Sequence, residues 1–151
     1  SNINACKKIS LLKKRFDNKN FILLAPSISF ALDSSAELEA SQIEFLESVW
    51  PGHVTVIVQA NDSLSLSIKA MDNTVAIRVS NHLPIKNLLN IFNGLMVSTS
   101  ANISNFPTPN SLDEVKKIFN DPDVAVYAHD NGDALKPSSI IDLKTMEYIR
   151  E

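Results

Sequence analysis

Four cations stand close together near the start of this sequence, at Lys13, Lys14, Arg15 and Lys19. Lysine offers point charges, whereas the planar guanidinium of arginine binds phosphate or carboxylate through two parallel hydrogen bonds. The cluster is therefore suited to clamping phosphate groups. A solvated helix end is an equally ordinary explanation, because cations near a helix C-terminus complement its dipole. These residues alone leave both interpretations open.

A polar run, Ser98-Thr-Ser-Ala-Asn102, follows a short apolar segment. Hydroxyl and amide groups just after a strand can bind phosphate oxygens or polarise a substrate carboxylate. The same residue types also satisfy their own backbone in turns, so a purely structural turn remains open.

Arg78 lies inside the apolar run Val75-Ala-Ile-Arg-Val79. Side chains alternate between the two faces of a strand, so Arg78 is predicted on the face opposite Val75, Ile77 and Val79. Its guanidinium suits a carboxylate or phosphate if that face lines a cleft; otherwise it lies on the solvated face of a sheet. His53 and His82 have no motif around them and are interpreted as loop residues.

The small number of glycines limits the kinds of phosphate site that this chain could form. The sequence has three glycines and contains neither GxxxxGK[ST] nor GxGxxG. A phosphate site would therefore be built from side chains. One cysteine, Cys6, and three scattered histidines have no zinc-ligand spacing and give no internal disulfide. No metal ligands are predicted, and a reducing cytoplasm is the expected compartment.

Composition narrows the class of protein. The 151 residues are 44% hydrophobic and 21% charged, which is ordinary for one globular domain, and no apolar run approaches the ~18 residues that cross a bilayer. A net charge of −3 argues against nucleic-acid binding over the whole surface, because such binding needs many phosphate contacts from Lys and Arg. Any RNA contact is expected to be local, and no membrane association is expected.

Hydrophobic periodicity and turn residues predict the elements that would position these groups. Helices are expected over 3–12, 35–49, 84–91 and 111–119, with Ser34 or Ser35 capping the second and a Ser111/Glu114 capping box starting the fourth. Strands are expected over 21–25, 54–58, 74–79, 95–97, 124–127 and 139–143. The predicted fold class is α/β: a twisted sheet of mixed parallel and antiparallel strands with helices packed on it, in one domain over 1–151.

Seven segments occur in the order found in YrdC-like proteins, which this chain resembles across nearly its whole length. They are Lys-Lys-Arg at 13–15, Trp-Pro-Gly-His-Val-Thr at 50–55, Thr-Val-Ala-Ile-Arg-Val at 74–79, Asn-His at 81–82, Ser-Thr-Ser-Ala-Asn-Ile-Ser at 98–104, Pro-Thr at 107–108 and Pro-Ser-Ser-Ile-Ile-Asp at 137–142. The resemblance implies a twisted α/β sheet with a concave, positively charged face.

The resemblance also implies an activity. YrdC-like proteins make L-threonylcarbamoyl adenylate and pyrophosphate from L-threonine, bicarbonate and ATP, a nucleotidyltransferase reaction. The product supplies the group for N6-threonylcarbamoyladenosine modification of tRNA. Expected partners are therefore ATP, L-threonine and bicarbonate, together with tRNA and threonylcarbamoyl-transferase proteins. Mg²⁺ is the expected cofactor, bound with ATP, and a monovalent cation is a second candidate ion.

The family's site residues carry over by position. Those of the KxR and SxN motifs, expected to be catalytic, are Lys13, Arg15, Ser100 and Asn102. Those expected to contact ATP are Arg15, Lys19, Thr74, Ser100, Thr108 and Arg150. Those expected to contact threonine are Arg78, Ser98 and Ser138. A planar Arg fork suits the carboxylate of an amino acid, and several cations suit a triphosphate.

The chain departs from the family pattern at three places. YrdC-like proteins usually begin with a strand carrying a PTET-like motif, which nothing before Ser1 resembles, so the N-terminal part is expected to be missing or truncated. Phe16 and Asn105 replace the proline and glycine that often follow the two motifs, although Asn tolerates positive φ. Two alternatives stay open: a module that binds RNA or nucleotide without synthase activity, and a domain working within a larger carbamoyl-transfer enzyme.

Overall fold

The computed structural model describes residues 3–15, 20–129, 132, 134 and 136–151. The chain folds as two compact units. The sheet unit comprises Asn20–Ser98 and Gly132–Glu151 together with Ser1, and the helical unit comprises Asn2–Lys19 and Thr99–Asn131. That these units make up one domain stays a prediction.

A six-stranded mixed sheet forms the sheet unit, as the alternation of strand and helix signals predicted. Its strands are β1 (Ile22–Ala25), β2 (Val54–Gln59), β3 (Thr74–Val79), β4 (Met96–Ser98), β5 (Ser139–Asp142) and β6 (Tyr148–Arg150). Their spatial order is β4-β1-β3-β2-β5-β6. The pairs β1/β3 and β2/β5 are parallel and the other three pairs are antiparallel. The predicted α/β class with a mixed sheet is confirmed.

Five helices are present in the described part of the chain. The sheet unit contains α2 (Ile28–Asp33), α3 (Ala40–Val49) and α4 (Leu83–Phe92), and the helical unit contains α1 (Ile3–Leu12) and α5 (Leu112–Ile118). Local sequence explains several ends: Pro84 lies in the first turn of α4, whose C-cap Asn93 is left-handed with φ 51°, and Ser111 caps α5. None of the described helices is long and apolar enough to cross a membrane.

The prediction of a helix over 35–49 is wrong for residues 35–39, which are not helical. The Ser27 hydroxyl accepts a hydrogen bond from the Phe30 amide at 3.1 Å and caps an additional short helix, α2, whose C-cap is Ser34. Ser35 then forms a bridge with Ala60, which holds the chain extended, so α3 begins only at Ala40. The two serines assigned as N-caps therefore end the preceding helix.

One strand prediction and one capping prediction also failed. Residues 124–127 form no strand; their side chains instead line a cavity of the helical unit. The capping box at Ser111 is incomplete, since the Glu114 carboxylate accepts from the Asn110 amide rather than from the amide of Ser111. Conversely, β6 was not predicted, because Tyr148–Arg150 is three residues long, is exposed throughout and has no apolar alternation.

The two faces of the sheet differ in burial. Along β3, Val75, Ile77 and Val79 are buried, whereas the alternate residues Thr74, Ala76 and Arg78 are half-buried. Fully buried side chains of the sheet unit include Leu23, Val56 and Ile77 from the strands and Leu46 and Leu89 from the helices. One face thus contributes the apolar core, and the other leaves polar side chains accessible for chemistry.

Candidate active site

Strand register places several predicted site residues on one face of the sheet. Ser98 pairs with Ile22, Ile22 with Ala76, Ala76 with Ile57, and Ile57 with Asp142, which makes one continuous row across five strands. Paired residues share a face, and so do residues two positions along a strand. We call this the site face; it includes Ser98, Thr74 and Arg78. Arg150 pairs with Ile140, next to an irregularity in the β5/β6 register.

The Arg78 guanidinium is positioned by two neighbouring polar groups. Its Nε donates to the carbonyl oxygen of Gly52 at 3.0 Å, and its Nη2 lies 3.5 Å from the Ser80 hydroxyl. Burial lowers the pKa of the guanidinium, and none of the described carboxylates forms a salt bridge with it. A half-buried cation with N–H groups left over favours binding of an anion, which would compensate its lost hydration.

Arg78 depends on the turn that follows Trp50. The Gly52 amide donates to the Val79 carbonyl at 2.8 Å, so Gly52 contacts β3 through both its N–H and its carbonyl. A Cβ at Gly52 would lie 2.5 Å from the carbonyl oxygen of Val49. Only glycine fits this close approach. Gly52 was not predicted as part of the site, although the Trp-Pro-Gly run carried the signal.

A second group of polar side chains surrounds Ser138. Its carbonyl oxygen accepts from Arg150 twice, from Nε at 3.0 Å and from Nη2 at 2.6 Å. Its hydroxyl lies 2.8 Å from the hydroxyl of Thr55 and 3.4 Å from Arg150 Nη2. The structure thus brings together Ser138 and Arg150, which the resemblance assigned to threonine and to ATP, and adds Thr55, which sequence reasoning missed.

The other predicted residues of the sheet unit have simpler surroundings. The Thr74 hydroxyl donates to the Asp72 carboxylate at 2.7 Å, and this hydrogen bond lowers the pKa of that carboxyl group. Ser98 is half-buried at the end of β4. His53 Nε2 lies 2.9 Å from the Lys136 carbonyl oxygen, in agreement with the interpretation of His53 as a loop residue.

In the helical unit, Lys13 brings its own motif and the SxN motif together. Lys13 is 4% exposed, and its ammonium donates to the carbonyl oxygens of Ser100 and Asn102 and to the side-chain oxygen of Asn102, the last two at 2.7 and 3.4 Å. Burial first, and the nearby charge of Arg15 second, lower the pKa of the ammonium. With all three N–H groups bound, Lys13 holds the polar segment rather than presenting a free charge.

The SxN segment is ordered by its own side chains. The Ser100 hydroxyl donates to the Asn102 side-chain oxygen at 2.6 Å, and the Asn102 amide donates to the Phe106 carbonyl at 2.6 Å. Asn105 has φ 67°, the left-handed conformation that explains why asparagine can replace the family's glycine here. Ser100 is exposed, so a ligand can reach its hydroxyl, which would turn from Asn102 to donate to a phosphate.

Arg15 and Thr108 are the other predicted site residues that the structure describes in the helical unit. Arg15 is half-buried just past α1, and Thr108 is exposed. Lys19 lies outside the described residues. A cavity of about 590 Å³, a volume typical of small-molecule sites, is lined by Lys13 and Ser100 together with apolar side chains of α1 and α5.

Comparison with known proteins identifies the family. The model of the Sua5/YciO/YrdC family, described as telomere recombination, matches residues 1–151. The chain belongs to the Sua5/YciO/YrdC family. Membership confirms the resemblance on which the motif assignments rest. One relative, a threonylcarbamoyl-AMP synthase from Vibrio parahaemolyticus, is 32% identical over 152 aligned residues, covering 99% of this chain and 82% of the relative.

Solved structures of the Sua5/YciO/YrdC family share the fold. YciO of E. coli superposes with a TM-score of 0.82 at 23% identity, covering 98% of this chain and 73% of that one. Sua5 of P. abyssi, in a crystal structure with L-threonine, superposes with a TM-score of 0.76 at 25% identity over 93% of this chain and 42% of that one. The mixed sheet described above is therefore the family's sheet.

Proposed function

We propose that this chain is a threonylcarbamoyl-AMP synthase, an enzyme that forms threonylcarbamoyl-AMP and pyrophosphate from L-threonine, bicarbonate and ATP. The observation that carries the proposal is similarity over 99% of the chain to a relative bearing that name. The geometry of the sheet unit adds support that does not depend on names, since its site face presents the groups that an amino acid requires.

Arg78 is the proposed carboxylate site for L-threonine. Its position is set by the Gly52 carbonyl and by Ser80, and its remaining N–H donors have no described acid partner. A carboxylate would supply the missing negative charge and accept two parallel hydrogen bonds. Ser98 shares the site face with Arg78 and stays the second predicted threonine contact.

Ser138 and Arg150 form the other part of this proposal. Ser138 is assigned to threonine and Arg150 to ATP. Because the two residues are directly hydrogen-bonded, a shift of one can change the position of the other. Arg150 has both its Nε and one Nη bound to the Ser138 carbonyl, which orients the guanidinium and leaves its other N–H groups for phosphate. Thr74 is the further ATP residue assigned on this face.

The KxR and SxN motifs are assigned to the nucleotide as well. Because the Lys13 ammonium is fully hydrogen-bonded inside the helical unit, its proposed part is to hold Ser100 and Asn102 in place. Direct phosphate contacts are then assigned to Arg15, Ser100 and Thr108. Lys19 keeps the same assignment on its sequence position alone.

The chemistry proposed for these residues is mainly positioning. The threonine amine adds to carbon dioxide with loss of a proton, or to bicarbonate with loss of water, and either route gives a carbamate. A carbamate oxygen then attacks the α-phosphorus of ATP while the bond to the β-phosphate breaks and pyrophosphate leaves. Bound cations and hydrogen-bond donors stabilise the charge that develops on the phosphate. No protein nucleophile is needed.

Mg²⁺ is proposed to enter with ATP. Phosphate oxygens are its proposed donors, since Mg²⁺ in nucleotide sites is commonly bound by substrate phosphates. The described residues contain no group of three or more His, Cys, Asp or Glu placed to hold a metal ion. Bound to the phosphates, Mg²⁺ would neutralise their charge. A monovalent cation stays a prediction without an assigned ligand.

The biological setting is also part of the proposal. The adenylate would be passed on for N6-threonylcarbamoyladenosine formation in tRNA, by transferase proteins acting in the cytoplasm. A local tRNA contact fits the net charge of −3 better than binding over the whole surface.

The decisive experiment measures pyrophosphate release from ATP and bicarbonate, with and without L-threonine, and identifies the adenylate by mass spectrometry. Release by the wild-type chain is expected to require threonine. Arg78→Ala should reduce it strongly at low threonine concentration. The matched control Lys86→Ala removes the same charge from an exposed position of α4 and should have no effect. Threonine-independent release, or none together with tight, salt-sensitive RNA binding, would favour the binding module instead.

A further inference from the structure

Thr55 is a buried polar residue to which no role has been assigned. It lies on β2, is 0% exposed, and its hydroxyl is 2.8 Å from that of Ser138, which is 6% exposed. The parallel pairing of β2 with β5 brings these residues together, since Val54 pairs with Ser139. Only Ser138 of the two retains surface through which a ligand can reach it.

The direction of the hydrogen bond between the two hydroxyls can be deduced. Each hydroxyl has one hydrogen to donate, and within the described part of the chain Ser138 Oγ is the one acceptor near the Thr55 hydroxyl. If Ser138 donated to Thr55, the Thr55 hydrogen would be buried without an acceptor, which is unfavourable. Thr55 therefore donates to Ser138.

The Ser138 hydroxyl still has its own hydrogen to donate. Its oxygen accepts from Thr55 and lies within 3.4 Å of a second donor, Arg150 Nη2. With donors on that side, the Ser138 O–H is directed away from them, toward an acceptor that is not part of this group. A carboxylate or carbamate oxygen is such an acceptor, and an ammonium group is not.

We propose that Thr55 is a positioning residue that makes Ser138 a hydrogen-bond donor to the amino-acid substrate. The inference rests on the proposed function, because it takes Ser138 as a threonine contact. Thr55 orients the Ser138 hydroxyl, whereas Arg150 is bound mainly through the Ser138 carbonyl at 2.6 and 3.0 Å. Loss of the Thr55 hydroxyl should therefore weaken threonine binding and leave ATP binding nearly unchanged.

The test compares Thr55→Val, which keeps the shape and removes the hydroxyl, with Thr55→Ser, which keeps the hydroxyl. Calorimetric titration should give a Kd for L-threonine at least fivefold higher for Thr55→Val and within twofold of wild type for Thr55→Ser, with both ATP affinities within twofold. In turnover, the KM for threonine should rise while the KM for ATP does not. An unchanged threonine Kd in Thr55→Val, or an equal loss for both substrates, would overturn the proposal.

A second comparison covers the case in which Thr55→Val does not fold. Ser138→Ala and the double variant Thr55→Val/Ser138→Ala should bind threonine equally, since Thr55 acts only through Ser138; removing both hydroxyls also leaves no unpaired group. A further loss in the double variant would contradict the proposal. A wild-type chain that binds threonine but makes no adenylate would refute the synthase function and leave these titrations valid, whereas a wild type that binds no threonine would refute both.

Discussion

The ammonium group of Lys13 lies 2.7 Å from the carbonyl oxygen of Asn102, 89 residues further along the chain. Replacing Lys13 with Met keeps an unbranched side chain that is one atom shorter and removes the three donors. Two partly buried carbonyl acceptors would lose a charged donor, so we expect the unfolding free energy to fall by about 2 kcal/mol. Urea denaturation measures this. Lys14→Met at the exposed neighbouring position should change little, and equal losses in both variants would refute the anchoring role.

The same lysine predicts a pH dependence of stability. Because burial and Arg15 lower the pKa of Lys13 in the folded protein, the unfolded chain binds more protons between that lowered pKa and the ordinary value of 10.5. The stability of the wild type relative to Lys13→Met should therefore rise as pH increases through this window. Denaturation curves for both proteins at several pH values up to 10 test the sign; a difference that is constant or falls with pH would contradict it.

Arg15 is predicted to matter far more for ATP than its neighbour Lys14. A charge-assisted hydrogen bond to phosphate contributes roughly 1.5–3 kcal/mol, so Arg15→Ala should raise the Kd for ATP about tenfold or more. Lys14→Ala removes an adjacent exposed charge and should raise it by less than about threefold. Equal ATP affinities for wild type and Arg15→Ala in calorimetry would remove the phosphate assignment.

Gly52→Ala should lower stability and impair the proposed threonine site. Its Cβ would meet the Val49 carbonyl oxygen at 2.5 Å, and overpacking of this kind costs about 1–3 kcal/mol. Displacement of the Gly52 carbonyl would also release Arg78 and raise the KM for threonine. Gly94→Ala is the control, because its Cβ would lie 3.4 Å from the nearest atom, a flexible Phe92 ring carbon. A Gly52→Ala protein with wild-type stability and KM would show that the turn can adapt.

Arg78 and the mixed sheet were predictable because their causes are local. The alternation of residue types along Thr74–Val79 shows which face of β3 is accessible. The apolar residues at the start of β4 indicate a strand, so the polar residues after them are expected at the end of that strand. The burial of Lys13 was not predictable, since its partners lie 87 and 89 residues away and a basic helix end is ordinarily solvated. Thr55 was missed for the same reason, as its partner is 83 residues distant.

Where local signals competed, the prediction failed. Ser27, Ser34 and Ser35 are all residue types that cap helices, and the sequence does not show which serine begins a helix and which ends one. The apolar run at 124–127 has strand-forming residues but gains no strand partner in the structure. Strand propensity allows a segment to form a strand, but the strand forms only where a neighbouring strand pairs with it.

The parallel pairing of β2 with β5 has a consequence for how the chain folds. Ser138 leaves the ribosome well after the strand that it lies beside, because 83 residues separate it from Thr55 of β2. Contacts between distant segments form slowly, since the loop between them must close first. Until β5 docks, β2 is an unpaired edge open to association with other chains. The site face is therefore completed late, and the nascent protein depends on rapid docking of β5 and β6.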